Sequence, residues 1–197
     1  MAFTDFKSIA QVQEEYRIKY TEENFIASLD LKPSNYFRQE LAFNLENIDV
    51  FTSEASRCEN VIYPILREVY KNFTEQYALW SHKSISYDHK LTGTPDYLIS
   101  TKSELGKTIL GLPIVVVVEA KQNNFIEGWG QCLAELIAVQ KMNQNEAQSL
   151  FGIVTDGELW QFGSLVWDVF TKEKTRIAVT DLDKLCGAIA FLLNELK

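Results

Sequence analysis

Ile114 to Val118 is an unbroken apolar run of one isoleucine and four valines, with no polar position that a water-facing side of a strand would need. β-branched residues favour extended backbone, and a strand that is apolar on both alternating faces has to be covered on both. The run therefore marks the central strand of an α/β sandwich rather than an exposed hairpin. Polarity then returns abruptly, in Glu119-Ala120-Lys121. The two-residue pleat sends Glu119 and Lys121 to the same face, at the end of a strand whose other positions lie in the core. Charge at that point needs a partner.

The flanking sequence supplies the covering layers. Phe6, Ile9, Val12, Tyr16, Tyr20, Phe25 and Ile26 recur at helical spacings and predict helix from Thr4 to about Ser28. Lys32-Pro33-Ser34-Asn35 breaks that pattern before a short helix over Tyr36 to Leu45. Ser53 is placed to cap a helix with Val61, Ile62, Ile65, Leu66 and Val69 on one face and a bend at Pro64. Strand signals follow over Ala78 to Tyr87 and at Tyr97-Leu98-Ile99, before the valine run. A helix from Gly128 to Met142 comes next. Asp156-Gly157-Glu158 joins the strand Phe151 to Thr155 to the strand Leu159 to Phe162 as a hairpin. Val166 to Phe170 and Arg176 to Val179 extend the sheet, and Asp181 caps a final helix to about Leu196. This order divides the chain into an amino-terminal helical extension, residues 1–52, packed on a core of residues 53–197.

Composition narrows the function classes. With 19 basic and 27 acidic side chains the net charge is -8, so a broad basic surface for polyanions is excluded, although a local groove is not. Cys58, Cys132 and Cys186 form no CxxC pair and their odd number closes no disulfide framework, so free thiols and a cytoplasmic location are expected. The amino terminus lacks a basic segment followed by a long apolar run; neither a signal peptide nor a membrane span is expected. Leu105-Gly106-Lys107-Thr108 has Thr101 where a phosphate loop needs its first glycine, and neither a nucleophile elbow nor HExxH occurs. His82 and His89, with Lys83 and Lys90 beside them, read as exposed surface ahead of a phosphate-contacting edge.

Asp96, in Gly93-Thr94-Pro95-Asp96-Tyr97, stands near the start of the strand next to the valine run. Asp96 and Glu119 are candidates to share a divalent metal, with Lys121 as a cation beside it. Mg²⁺ suits such a site, since it takes oxygen ligands and needs few carboxylates. The set fits phosphodiester hydrolysis, in which the metal activates water and the lysine stabilises developing charge.

Pro95-Asp96 followed after 23 residues by Glu119-Ala120-Lys121 resembles the bipartite motif of the PD-(D/E)XK nuclease superfamily. The Ser53 to Leu66 helix, Gln131-Cys132-Leu133-Ala134-Glu135 and the Phe151 to Trp160 hairpin are similar to further parts of that pattern. The flavour is that of the amino-terminal nuclease domain of type I restriction endonuclease motor subunits and stand-alone bacterial relatives. The resemblance covers about residues 53 to 170. It implies a restriction-endonuclease-like αβββαβ core with a mixed central sheet flanked by helices. It also implies Asp96, Glu119 and the Ala120 carbonyl as ligands to Mg²⁺, with Mn²⁺ able to substitute, Lys121 as the catalytic cation, Glu54 as the helix acid and Gln131 as the helix glutamine. Glu59 competes with Glu54, and Glu135 stands where the QxxxY form of the pattern has tyrosine. The implied activity is nucleic-acid cleavage, DNA ahead of RNA, by a homodimer or with a protein partner that delivers substrate. A module that keeps the fold without turnover, working within a protein assembly, is the alternative.

Overall fold

A computed structural model describes residues 2–27 and 29–195. The valine run lies within strand β6, Ile114–Ala120, every residue of which is buried. Its neighbours are β5, Tyr97–Thr101, antiparallel on one side, and β7, Leu150–Thr155, parallel on the other. The parallel step is bridged by α5, Phe125–Asn143. A parallel connection needs such a crossover, which explains why a long helix separates two adjacent strands.

The large sheet is mixed and continues beyond this centre. Strand β2, Tyr77–Ser81, pairs antiparallel with β5, while β8, Leu159–Val166, and β9, Val169–Glu173, extend the other side antiparallel. The short β10, Ile177–Ala178, pairs the start of β8. Two-residue strands β3, Ile85–Ser86, and β4, Thr92–Gly93, pair separately. The β5–β6 register shifts after Ile99, leaving Val115 as a bulged residue, so Val115, Val116 and Val118 face one core layer and Val117 the other. Helices flank both faces. α5 covers the Val117 side; α6, Leu182–Asn194, and the helix beginning at Glu54 cover the opposite side.

That last helix runs as α3, Glu54–Arg57, a π-turn over Cys58–Ile62, and α4, Tyr63–Tyr70, with Ser53 Oγ accepting from the Ser56 amide as anticipated. Pro64 is the cause of the irregularity. It has no N–H to offer the Asn60 carbonyl, which instead accepts from Asn44 Nδ2 at 3.0 Å on α2, Asn35–Asn47.

The amino-terminal segment departs from its predicted form. Helix α1, Ile9–Tyr16, stops at Arg17, whose φ of 59° is left-handed, and Lys19–Glu23 forms β1, parallel to β9 at the edge of the sheet. Helical spacing of the tyrosines is overridden because the open edge of β9 offers unpaired backbone groups. This part of the chain is thus helix and sheet edge together, and Ser28 lies outside the described residues. The expected strand Val166 to Phe170 is instead a turn at Trp167, φ 54°, between β8 and β9. Asp181 occupies the N-cap of α6 without a side-chain capping bond, and the expected end of that helix at Leu196 lies outside the described residues. Among the described residues no helix is long and apolar enough to cross a membrane.

Candidate active site

The strand registers assemble the site. Ser81 pairs with Tyr97, so the next residue, His82, comes opposite Asp96, and its amide donates to the Asp96 carbonyl at 2.8 Å. Tyr97 pairs with Val118, so one step further Asp96 comes opposite Glu119. Glu119 pairs with Val154, and Val154 with Gln161. One transverse row therefore crosses the sheet as His82, Asp96, Glu119, Val154 and Gln161. Two carboxylates directly opposite on one face repel, which stabilises neither strand pairing nor packing.

Asp96 Oδ2 accepts from the Ala120 amide at 2.7 Å, and its Oδ1 lies 3.6 Å from His82 Nε2. Within a strand residue the amide and carbonyl leave on the same side, so the Ala120 carbonyl is directed toward the Asp96 strand as well. Lys121 Nζ lies 3.7 Å from Glu119 Oε1, fulfilling the expectation that the pleat brings these two charges to one face. Gly128 lets α5 close over this corner, because a Cβ there would come within 2.7 Å of Val154 and 2.9 Å of Lys121.

From α5, Gln131 Nε2 donates to Glu119 Oε1 and, at 3.2 Å, to Glu135 Oε1 one helical turn on. Both amide hydrogens are then used. Glu119 Oε2, Gln131 Oε1 and Glu135 Oε2 remain buried without a hydrogen-bond partner among the described residues. All three orphans are acceptors, and the nearest cation, the Lys121 ammonium, stands 3.7 Å from the other Glu119 oxygen without a hydrogen bond to any of them. Protonation is the response open to the side chains alone. Burial, then the charges of Glu135 and Asp96, push Glu119 well above the usual carboxylate range despite Lys121. Burial likewise raises Glu135, with Asp96 adding to it and Gln131 and Lys121 opposing. Burial alone would lower Lys121, yet Glu119, Glu54, Asp96 and Glu135 together hold it above its ordinary value, as a stable ammonium.

Beside Asp96 opens a cleft of about 490 Å³ lined by Glu54, Cys58, Glu59, Tyr63, His82 and Tyr97 among others. Glu54 and Glu59 both reach it, and Glu54 is the one whose charge is felt at Lys121. Glu119, Lys121 and Gln131 sit behind the Asp96 wall rather than in the lining. Burial pushes the Cys58 thiol up to about 11 even with Tyr97 in hydrogen-bond reach, which disfavours the thiolate. All three cysteines are free, and all three are buried.

Sequence reasoning did not place His82, Tyr97 or Glu135 in this site. His82 had a usable signal only through strand register, which its left-handed φ of 49° at the end of β2 obscures. Among the described residues no group of three or more His, Cys, Asp and Glu side chains is disposed to hold a metal ion. The candidate set is instead two carboxylates with a main-chain carbonyl; its one orphaned acceptor, Glu119 Oε2, and the mutual repulsion of Asp96 and Glu119 fit a hard divalent cation. No protein-family model matches the chain, and no curated protein matches it.

Proposed function

We propose that this chain is a metal-dependent nuclease of the restriction-endonuclease-like type, hydrolysing phosphodiester bonds, with DNA ahead of RNA as substrate. The observation that carries the reading is the buried cluster of Glu119, Glu135 and Gln131, whose unpaired atoms are all oxygen acceptors, beside the half-buried Asp96 and the ammonium of Lys121. The order of a helix from Glu54 to Tyr70, three antiparallel strands β2, β5 and β6, then α5 and the parallel β7, supports an αβββαβ core.

Asp96, Glu119 and the Ala120 carbonyl would hold Mg²⁺ or Mn²⁺, which when bound supplies charge neutralisation and a more acidic water. Gln131 fixes the Glu119 carboxylate by donating to one oxygen and leaving the other for ligation. The Ala120 amide orients Asp96 in the same way. Lys121 offers its charge to the phosphate, and Glu54 brings a carboxylate to the mouth of the cleft where substrate enters. A scaffold without turnover is the competing reading, and the fully buried Glu135, at a position where the resemblance expects tyrosine, is the observation on its side. The deciding experiment is cleavage of labelled single- and double-stranded DNA and RNA in Mg²⁺ or Mn²⁺ at low salt, native protein against Lys121→Ala. Cleavage by the native protein that the variant loses supports the nuclease. No cleavage of any substrate by folded native protein supports the scaffold.

A further inference from the structure

A second cleft, of about 320 Å³, opens between the first turns of α1 and α5 above the β8–β9 end of the sheet. Its wall includes Gln161, the last member of the row that holds Asp96 and Glu119. Two strand spacings separate Gln161 from Glu119, roughly 10 Å at about 4.8 Å each. β6 and β7 are parallel, and β8 and β9 alternate after them, so the ends of β6, β7 and β9 and the start of β8 share one edge of the sheet. The first turn of α5 crosses that edge at Val154. The candidate active site lies on one side of it and this cleft on the other.

Gln161 is 2% exposed. Its Oε1 accepts from Trp129 Nε1 at 2.9 Å, and among the described residues its Nε2 has no partner. Gln161 lines the cleft, and its Nε2 is available to donate to an acceptor that enters it. Two cations face the same space. Lys172 Nζ lies 5.5 Å from the centre of the Trp129 ring, and Arg176 lines the cleft beside it. Neither makes an ion pair among the described residues. Burial first, and the like charge of Arg176 second, pull Lys172 below its ordinary range, with Glu22 on β1 opposing. The nearby acids are otherwise engaged: Glu127 is bound to Lys7 at 2.7 Å, and Glu173 accepts from the amides of Phe25, Ile26 and Thr175. Ile126 stands 73% exposed at the rim, an apolar surface next to the cations.

We propose that this cleft is a phosphate-binding subsite for the nucleic-acid strand, in which Lys172, Arg176 and the Gln161 amide hold a phosphodiester beyond the bond presented to Glu119 and Lys121. At 3.4 Å per base step, a 10 Å offset is roughly three nucleotides. Ile126 packs against the adjoining sugar or base. This subsite rests on the nuclease reading, and it meets the difficulty posed by that reading: a chain of net charge -8 needs a local cationic grip to hold a polyanion.

The test is fluorescence anisotropy of labelled single-stranded and duplex DNA of about a dozen nucleotides, in EDTA and over a range of salt. The proteins compared are the native chain, Arg176→Gln, the Lys172→Gln/Arg176→Gln double variant and Lys107→Gln, an exposed cation in the turn between β5 and β6 at the far end of these strands from the candidate active site. Arg176 is exposed, so its single variant keeps the fold, and matched unfolding midpoints identify any variant that does not. The double variant is expected to bind at least tenfold more weakly at low salt. Its slope of log affinity on log salt should fall by about 1.4 for single strands or about 1.8 for duplex, the loss of two phosphate contacts. Arg176→Gln should show about half that change, and Lys107→Gln none. Unchanged affinity and slope in both cleft variants, or no DNA binding by the native protein, would overturn the subsite. Cleavage assays in Mg²⁺ separate the two ideas: binding that depends on Lys172 and Arg176 without cleavage by any preparation supports the subsite while removing the nuclease.

Discussion

Glu173 and Glu119 are both almost fully buried, and the fold treats them in opposite ways. Glu173, at the end of β9, accepts from the amides of Phe25, Ile26 and Thr175 at 2.7 to 3.0 Å. Glu68 on α4 is similar, taking the Ser34 amide at 2.9 Å and Lys71 Nζ at 2.6 Å. Each of these carboxylates is matched by donors, and each ties an otherwise irregular stretch of chain to the core. Glu119 and Glu135 share one glutamine amide and keep an oxygen apiece without a partner. The same chain that surrounds a structural carboxylate with donors has left these two short of them, with Asp96 opposite Glu119. On the function proposed above, the Glu119 cluster is a place where stability is given up for a positive ligand.

Activity should separate the two groups most sharply. Glu119→Gln and Lys121→Ala are each expected to lower nucleic-acid cleavage by about a thousandfold, near 4 kcal/mol of barrier, whereas Glu68→Gln leaves the rate per folded molecule unchanged; single-turnover assays decide. Stability should reverse the ranking. Glu173→Ala strands three partly buried amides and is expected to cost about 3 kcal/mol in urea unfolding, with no dependence on Mg²⁺ or Mn²⁺.

The pH dependence of the metal-free fold should carry both signs. The folded pKa of Glu68 is lowered, because Lys71 and the Ser34 bonds outweigh burial. Its contribution is therefore complete above its unfolded value and lost as pH falls through the folded one, an acid limb that Glu68→Gln removes at a cost of about 1 kcal/mol at neutral pH. Glu119 and Glu135 are raised, so their contribution is complete below the unfolded carboxylate range and declines as pH rises toward their folded values. Glu135→Gln, which keeps an acceptor for Gln131 and removes one charge, should accordingly raise the melting temperature of the metal-free protein at neutral pH by about 3 °C and lose that advantage in acid. A lower melting temperature at neutral pH would mean that Glu135 is a structural acid like Glu173.

Much of this arrangement is written in local pattern. The valine run, the period-two placement of Glu119 and Lys121, the Ser53 cap, the Pro64 irregularity and the Asp156-Gly157 hairpin each follow from a few neighbouring residues. What depends on pairing between distant segments is not legible in that way. Lys19–Glu23 carries helical spacing and becomes a strand only because β9 is there to pair with it. His82 and Gln161 join the acids through registers across β2, β5, β6, β7 and β8 that no local motif encodes. Glu135 reads as an ordinary helix acid until the packing of α5 buries it against Glu119.

Metal-dependent stability tests the central contrast most directly. Thermal unfolding would be followed during Mn²⁺ or Mg²⁺ titration of the native protein, Asp96→Asn and Glu68→Gln, because a ligand that binds only the native state raises its stability by an amount set by its affinity. Saturable stabilisation of the native protein and of Glu68→Gln, absent in Asp96→Asn, is the result that the unmatched acceptors predict. Melting temperatures indifferent to metal in all three proteins would contradict it, and would make the buried acids of this site a cost without a ligand.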